Sequence, residues 1–251
     1  MAATAADDVA VVEVTFYVDG TLIGTDYTAP YGLSWNSATV ADGAHTLTAR
    51  AHDRSGHVGT SAAVVVTSDN TAPAVVLGTP PASAWLQGTV LLTATASDGA
   101  GVARVEFHAG GTLLGADTTA PYAMSWDTAG MPDGAQVLTA RVFEQTGHST
   151  TSAEVRVNLD NLAPVVALGA PAQRAWLQGR VQVTATASDS AGVVKVEFSV
   201  DGTPLGTDTT APYSYSWNLL SVTKGNHTLT AKAQDAAGNV TTSTAITVKV
   251  N

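Results

Sequence analysis

The chain has 251 residues, no cysteine and a formal net charge of −10. Nucleic acids and anionic membrane surfaces would repel such a charge, and no apolar run reaches the roughly 18 to 20 residues of a membrane-spanning helix. We therefore expect no nucleic-acid partner and no membrane insertion, and no disulfide framework can form.

The sequence repeats with a period of 91 residues. Identical residues hold equivalent positions in all three copies, namely Phe16, Phe107 and Phe198; Trp35, Trp126 and Trp217; and Gly56, Gly147 and Gly238. Such a repeat predicts tandem modules, here residues 1–71, 72–162 and 163–251. The period is close to the size of an immunoglobulin-type sandwich.

The first predicted element is a half-buried strand in which Val12, Val14, Phe16 and Val18 alternate with other residues. The pair Asp19-Gly20 follows it and predicts a two-residue hairpin turn, because both central positions of such a turn need positive φ. The pattern recurs at Ala103, Val105, Phe107 and Ala109 with Gly110-Gly111, and at Val194, Val196, Phe198 and Val200 with Asp201-Gly202.

Further strands follow in each module. In the third they are predicted around 181–187, 229–233 and 246–250, and near Val165, Thr203 and Tyr213, which makes about seven short strands per module. No segment has the pattern of a useful helix. The predicted fold is all-β, with three tandem Ig-like antiparallel β-sandwiches, each built from two packed sheets.

The joints between modules are short and contain proline. Asp69-Asn70-Thr71-Ala72-Pro73 recurs as Asp160-Asn161-Leu162-Ala163-Pro164, and proline stiffens the backbone on both sides. With modules of about 30 to 40 Å, we expect a rod about 100 Å long. Met1 aligns with Leu92, so the first module is expected to lack its N-terminal strand and part of the second, leaving an open sheet edge.

Four motifs of the third module support a more specific comparison: DGT at 201–203, APYSYSW at 211–217, GNHTLTAKA at 225–233 and DAAGN at 235–239. Together they resemble the bacterial Ig-like domain family, which is found in tandem in secreted hydrolases and cell-surface adhesins. The resemblance covers the whole chain. It implies an extracellular or cell-surface location, and it implies a fold rather than a particular function.

Acidic residues gather where one module is expected to meet the next. The linkers should bring Asp69 and Asn70 toward Asp98 and Glu144, and Asp160 and Asn161 toward Asp189 and Asp235. Ca²⁺ takes carboxylate and carbonyl oxygens, and the resemblance adds that similar acidic joints bind calcium in some tandem adhesin Ig domains. The alternative is that these residues serve turns through side-chain to backbone hydrogen bonds. Calcium is the one cofactor that the sequence suggests.

The tryptophans have two interpretations. Trp35, Trp126 and Trp217 repeat at one point of the fold, which favours a place in the core over a sugar-stacking platform. Trp85 and Trp176 lie beside a loop, where packing at a module edge or between modules is expected. A glycan contact is the alternative for these two residues.

The sequence contains no recognisable set of catalytic residues. His52 and His57 are the two histidines nearest in sequence, but no histidine pair is kept in all three copies and no Ser-His-Asp set can be assigned. We therefore predict no enzyme. All lysines lie in the last module, which excludes a repeated Lys-Asn isopeptide bond.

Three functions remain open at this stage. The first is a non-catalytic spacer or stalk of a secreted or cell-surface bacterial protein, presenting an adhesive or enzymatic region. The second is a subunit of an extracellular filament, in which another chain, such as a second copy, adds a strand to the open edge of the first module. The third is a carbohydrate-binding accessory region of a secreted hydrolase, using Trp85, Trp176 and Tyr17.

Overall fold

The computed structural model describes residues 1–251. It is all-β, and its only helical elements are two single 3-10 turns, Ser37–Thr39 and Thr128–Gly130. No helix in the structure combines the length and hydropathy needed to cross a membrane. The fold class expected from the alternating sequence is confirmed.

The strands follow the same order in the three repeats. In the first they are β1 (Ala2–Ala3), β2 (Val11–Val18), β3 (Thr21–Asp26), β4 (Tyr31–Gly32), β5 (Gly43–Asp53), β6 (Val58–Thr60) and β7 (Val64–Ser68). In the second they are β8 (Ala74–Thr79), β9 (Trp85–Leu86), β10 (Thr89–Ser97), β11 (Val102–Ala109), β12 (Thr112–Asp117), β13 (Tyr122–Asp127), β14 (Gly134–Glu144), β15 (Ser149–Thr151) and β16 (Val155–Leu159). In the third they are β17 (Val165–Ala170), β18 (Trp176–Leu177), β19 (Arg180–Ser188), β20 (Val193–Val200), β21 (Thr203–Asp208), β22 (Tyr213–Asn218), β23 (Gly225–Asp235), β24 (Val240–Thr242) and β25 (Ile246–Val250).

Each complete repeat pairs a three-stranded sheet with a six-stranded one. In the third repeat the orders are β17-β19-β22 and β18-β25-β23-β20-β21, with β24 beside β23; the second repeat has the same arrangement. In the first repeat β1 pairs with β4, and β3-β2-β5-β6 form the other sheet with β7 beside β5. The short strands β9 and β18 pair in parallel with the last strand of their own repeat.

The equivalent phenylalanines form the centre of each core. Phe16, Phe107 and Phe198 are at most 1% exposed. In the third repeat Val196, Leu229 and other aliphatic side chains from both sheets surround the phenylalanine. This packing explains the repeat, because a thin aliphatic core needs the same large side chain at the same point.

Two residues predicted to face inward do not. Val12 and Val194 are 38% and 45% exposed. A bulge shifts the register of β2 against β5 between Val11 and Glu13, and of β20 against β23 between Val193 and Lys195. The extra residue of a bulge breaks the alternation, so the predicted orientation was wrong at these two positions.

The predicted hairpins are confirmed in all three repeats. Both central residues of each turn have positive φ, with values of 50° and 77° at Asp19-Gly20, 55° and 83° at Gly110-Gly111, and 48° and 78° at Asp201-Gly202. These turns join β2 to β3, β11 to β12 and β20 to β21.

The chain divides into two compact units. The first comprises Met1–Ala74, Ser97–Ala103 and Phe143–Thr150, and the second comprises Val75–Ala96, Arg104–Val142 and Thr151–Asn251. Two loops, at 97–103 and 143–150, therefore belong to the same unit as the first repeat. The module boundaries at 71/72 and 162/163 stay a prediction from the sequence period.

Candidate metal centre

The predicted acidic residues all stand at the ends of strands. Asp69 and Asp160 directly follow β7 and β16, Asp98 and Asp189 directly follow β10 and β19, and Glu144 and Asp235 are the last residues of β14 and β23. A carboxylate at a strand end can accept hydrogen bonds from the turn that follows, which explains why the chain keeps acidic residues here.

The first cluster consists of Asp69, Asp98 and Glu144 and lies within the first compact unit. Each side chain offers one carboxylate oxygen, and the three oxygens lie within 4.8 Å of one another. Oxygens bound to a common Ca²⁺ at about 2.3–2.6 Å can be at most about 5 Å apart. The spacing of the first cluster therefore fits a shared cation.

Each carboxylate of the first cluster uses its two oxygens differently. One oxygen of Asp69 and one of Asp98 accept hydrogen bonds from the backbone N–H two residues later, at 3.2 and 2.7 Å. Glu144 Oε1 accepts from His148 Nδ1 at 2.5 Å. The other oxygens, Asp69 Oδ2, Asp98 Oδ1 and Glu144 Oε2, are buried without a hydrogen-bond partner. Hydrogen bonds within the turns therefore account for one oxygen of each carboxylate and leave the other oxygen without a partner.

The second cluster consists of Asp160, Asp189 and Asp235 and lies within the second compact unit. Its three ligand oxygens also lie within 4.8 Å of one another, and Asp160 and Asp235 are each 1% exposed. Asp160 Oδ2 has no hydrogen-bond partner. Asn239 Nδ2 donates to Asp235 Oδ2 at 2.9 Å and to the main-chain oxygen of Asp160 at 2.8 Å, and so joins the linker to the loop.

The electrostatics of the second cluster disfavour three negative charges without compensation. Burial raises the pKa of Asp160 above its ordinary value. A hydrogen bond from the Leu162 N–H lowers the pKa, while the neighbouring charges of Asp189 and Asp235 raise it further. A bound cation would stabilise the charged form of these carboxylates.

The two predicted asparagines have other partners. Asn161 Oδ1 accepts from Gly88 N and Thr128 Oγ1, both at 2.9 Å. Asn70 Nδ2 donates to the main-chain oxygen of Ser37 at 3.1 Å. Both amides therefore tie the linker to the 3-10 turn of the preceding repeat, and we leave them out of the ligand set.

Two half-buried Asp-His pairs were not predicted from the sequence. His45 Nδ1 and Asp19 Oδ2 are 2.6 Å apart, as are His227 Nδ1 and Asp201 Oδ2. The other ring nitrogens lie 2.8 and 2.7 Å from main-chain oxygens. A signal was present, because the second repeat replaces both partners together and has Gly110 and Gln136 at these positions.

Two of the three repeated tryptophans are core residues. Trp126 and Trp217 are 4% and 3% exposed, which confirms the core interpretation for these two. Trp35 is half-buried and contacts the His45 ring edge-on, with the ring centroids 6.2 Å apart.

Of the other aromatic candidates, Trp85 and Trp176 lie in edge strands, whereas Tyr17 lies in β2 between β3 and β5. Trp85 and Trp176 form the short edge strands β9 and β18 and are 37% and 65% exposed, so their packing at a module edge stays a prediction. Lys249 Nζ lies 4.2 Å from the centre of the Trp176 ring, and Arg50 Cζ lies 4.7 Å from that of Tyr17. A cation therefore covers one face of the Trp176 ring and one face of the Tyr17 ring, and that face is not available to a sugar. Carbohydrate binding stays a prediction.

Repeated two-sheet sandwiches joined by short acidic linkers define a tandem array of Ig-like domains. The bacterial Ig domain family matches residues 1–49, 73–140 and 164–231, and the chain belongs to this family. Domains of this kind are typically extracellular and non-catalytic.

Solved structures of tandem modules are similar to the chain. The fibronectin(III)-like modules of Clostridium thermocellum CbhA are 33% identical, with a TM-score of 0.50 over 70% of this chain and 93% of that one. A tetra-tandem repeat in the extending region of a large adhesion protein is 23% identical, with a TM-score of 0.36 over 97% of this chain and 68% of that one. A comparison with curated protein sequences gives no significant match.

Proposed function

We propose that this chain is a non-catalytic spacer of a secreted or cell-surface bacterial protein, and that it carries an adhesive or enzymatic region away from the cell. The observation that carries the proposal is that both linkers are held in the same way. The backbone N–H of Asn70 donates to Asp42 at 2.6 Å, and that of Asn161 donates to Asp133 at 2.9 Å. The two linkers therefore share the same hydrogen bond, and a spacer needs joints of equivalent structure.

The relatives support this proposal at the level of the module. Fibronectin(III)-like modules that are 33% identical to this chain form part of CbhA. Equivalent modules in tandem add length to a protein. An active site, in contrast, needs residues of different kinds in one place.

Small-angle X-ray scattering on the purified chain tests the spacer. A rod about 100 Å long has a radius of gyration of about 30 Å, whereas a compact protein of this size has about 18 Å. We expect the larger value. A radius of gyration near the compact value would contradict the proposal.

Strand addition to the first repeat is the second candidate. A groove of about 380 Å³ lies between Met1–Thr4, Leu47–Ala49 and the segment around Val64, with Phe16 in its wall. A strand that alternates apolar and polar residues would fill this groove, and in a filament a second copy of the chain would supply it. Filament subunits should form polymers at high concentration in size-exclusion chromatography, and a strictly monomeric protein would contradict this candidate.

A further inference from the structure

We propose that the first and second clusters each bind one Ca²⁺, and that each ion fastens a linker carboxylate to two loop carboxylates. The ion would join Asp69 to Asp98 and Glu144 in one cluster, and Asp160 to Asp189 and Asp235 in the other. This goes beyond the spacer function, because it assigns a ligand and a mechanical role to the joints.

Unsatisfied buried oxygens are the observation that points to a ligand. The residues Glu144 and Asp160 are 3% and 1% exposed, and Glu144 Oε2 and Asp160 Oδ2 have no hydrogen-bond partner. A buried carboxylate oxygen without a partner is costly, so native proteins satisfy nearly all such groups. Turn hydrogen bonds satisfy the other oxygen of each group and leave these atoms unexplained.

The geometry agrees with a single ion in each cluster. Three carboxylate oxygens within 4.8 Å of one another can all reach one cation. A fully charged cluster would carry three negative charges, and one divalent cation would neutralise most of them. Asn239 in the second cluster orients Asp235 through its amide, as outer-shell partners of metal ligands commonly do.

The donor set favours calcium over other metals. All the ligands are oxygens, and the chain has no cysteine, whereas zinc prefers nitrogen and sulfur. Mg²⁺ demands a near-ideal octahedron at short distances, while Ca²⁺ accepts six to eight oxygens in irregular arrangements. Loops that meet from three parts of the chain supply an irregular arrangement, and water would complete the coordination.

Isothermal titration calorimetry with CaCl₂ on the chelator-treated full chain tests the proposal. We expect two calcium ions per chain. Asp98→Asn should abolish binding at the first cluster and Asp189→Asn at the second, leaving one ion in each variant. Two ions retained in either variant, no binding at millimolar calcium, or equal binding of MgCl₂ would overturn the proposal.

Asp127→Asn is the matched control. It removes one negative charge from a turn outside both clusters, where Asp127 Oδ1 accepts from Ala129 N at 3.0 Å. Asn36 and Asn218 hold the equivalent positions, so asparagine keeps this cap. The control should bind two ions.

Thermal unfolding separates a metal ligand from a turn residue. Calcium should raise the Tm of the wild-type chain, because it binds the folded state, and should leave the Tm of the Asp98→Asn, Asp189→Asn double variant unchanged. In EDTA the double variant should be at least as stable as wild type, since it relieves repulsion between carboxylates. A lower Tm in EDTA with the calcium response intact would overturn the proposal. If calorimetry shows two bound ions but small-angle scattering shows a compact particle, only the spacer proposal is overturned.

Discussion

The two oxygens of one carboxylate can serve different purposes, and Asp98 shows this clearly. One oxygen accepts from the N–H groups of Ala100 and Gly101 at 2.7 and 3.1 Å, while the other is buried without a partner. Turn formation and cation binding were alternatives at the level of the sequence. In the structure the turn uses one oxygen and leaves the second available, so the two interpretations are compatible.

The Asp-His pairs predict a dependence of stability on pH. Hydrogen bonds to Asp19 and Asp201 raise the pKa of His45 and His227 above the ordinary 6.5. Hydrogen bonds from the histidine ring and the backbone lower the pKa of the two aspartates below 3.8. The histidine contribution is complete below pH 6.5 and is lost as pH rises through the raised pKa. The aspartate contribution is present above pH 3.8 and is lost as pH falls through the lowered pKa.

Replacement of both histidines by glutamine, the residue at position 136 of the second repeat, tests this effect. The loss of Tm relative to wild type should be larger at pH 5.5 than at pH 8.5, because only the protonated ring can donate both to the aspartate and to the main-chain oxygen. Differential scanning calorimetry at the two pH values measures it. His57→Gln is the comparison: a hydrogen bond to Asp53 raises the pKa of His57 as well, but this ring is 84% exposed, so solvent should reduce its pH-dependent loss to a small value. An equal loss at both pH values would contradict the ion-pair account.

At the scale of elements, the packing of the two sheets depends on glycines that leave room for a side chain of the opposite sheet. In β21 a Cβ on Gly206 would lie 2.4 Å from Tyr215 Cε2, whereas in β12 a Cβ on Gly115 would lie 3.1 Å from Met124 Cε. The rigid ring of Tyr215 covers its glycine more closely than the flexible thioether of Met124 does. The two repeats therefore differ in how much they tolerate a methyl group here.

Alanine substitutions measure this difference. Gly206→Ala should destabilise the third repeat by about 1–3 kcal/mol, because the tyrosine ring has to move, and Gly115→Ala should cost less than about 1 kcal/mol. Urea unfolding followed by tryptophan fluorescence compares the two variants with wild type. Equal losses would show that the ring moves as easily as methionine.

The elements also show where sequence patterns stop being informative. Alternation correctly predicted the buried faces around Phe16 and Phe198, but Val12 and Val194 continue the same alternation and are exposed. The bulge that turns them outward depends on pairing with β5 and β23, which is not a local property of the strand. The short strands β9 and β18 were not predicted either, because a strand of two residues has no periodicity that could be detected.

At the scale of the whole molecule, the period carried most of the prediction. Equivalent phenylalanines, Asp-Gly or Gly-Gly turns and acidic linkers repeat at one spacing. The fold predicted for one module therefore applied to all three. The candidate site was harder to predict. Asp69, Asp98 and Glu144 are far apart in sequence, and only the fold shows that they meet while Asn70 and Asn161 bond elsewhere.

Deletion of one period tests the modular account most directly. Removal of residues 72–162 joins Asp69-Asn70-Thr71 to Ala163-Pro164 in register and places the linker before the loops of Asp189 and Asp235. Small-angle scattering on the full and shortened chains is the measurement. The account predicts a folded protein whose maximum dimension is shorter by about 30 to 40 Å. An unfolded chain, or a folded one with an unchanged maximum dimension, would contradict it.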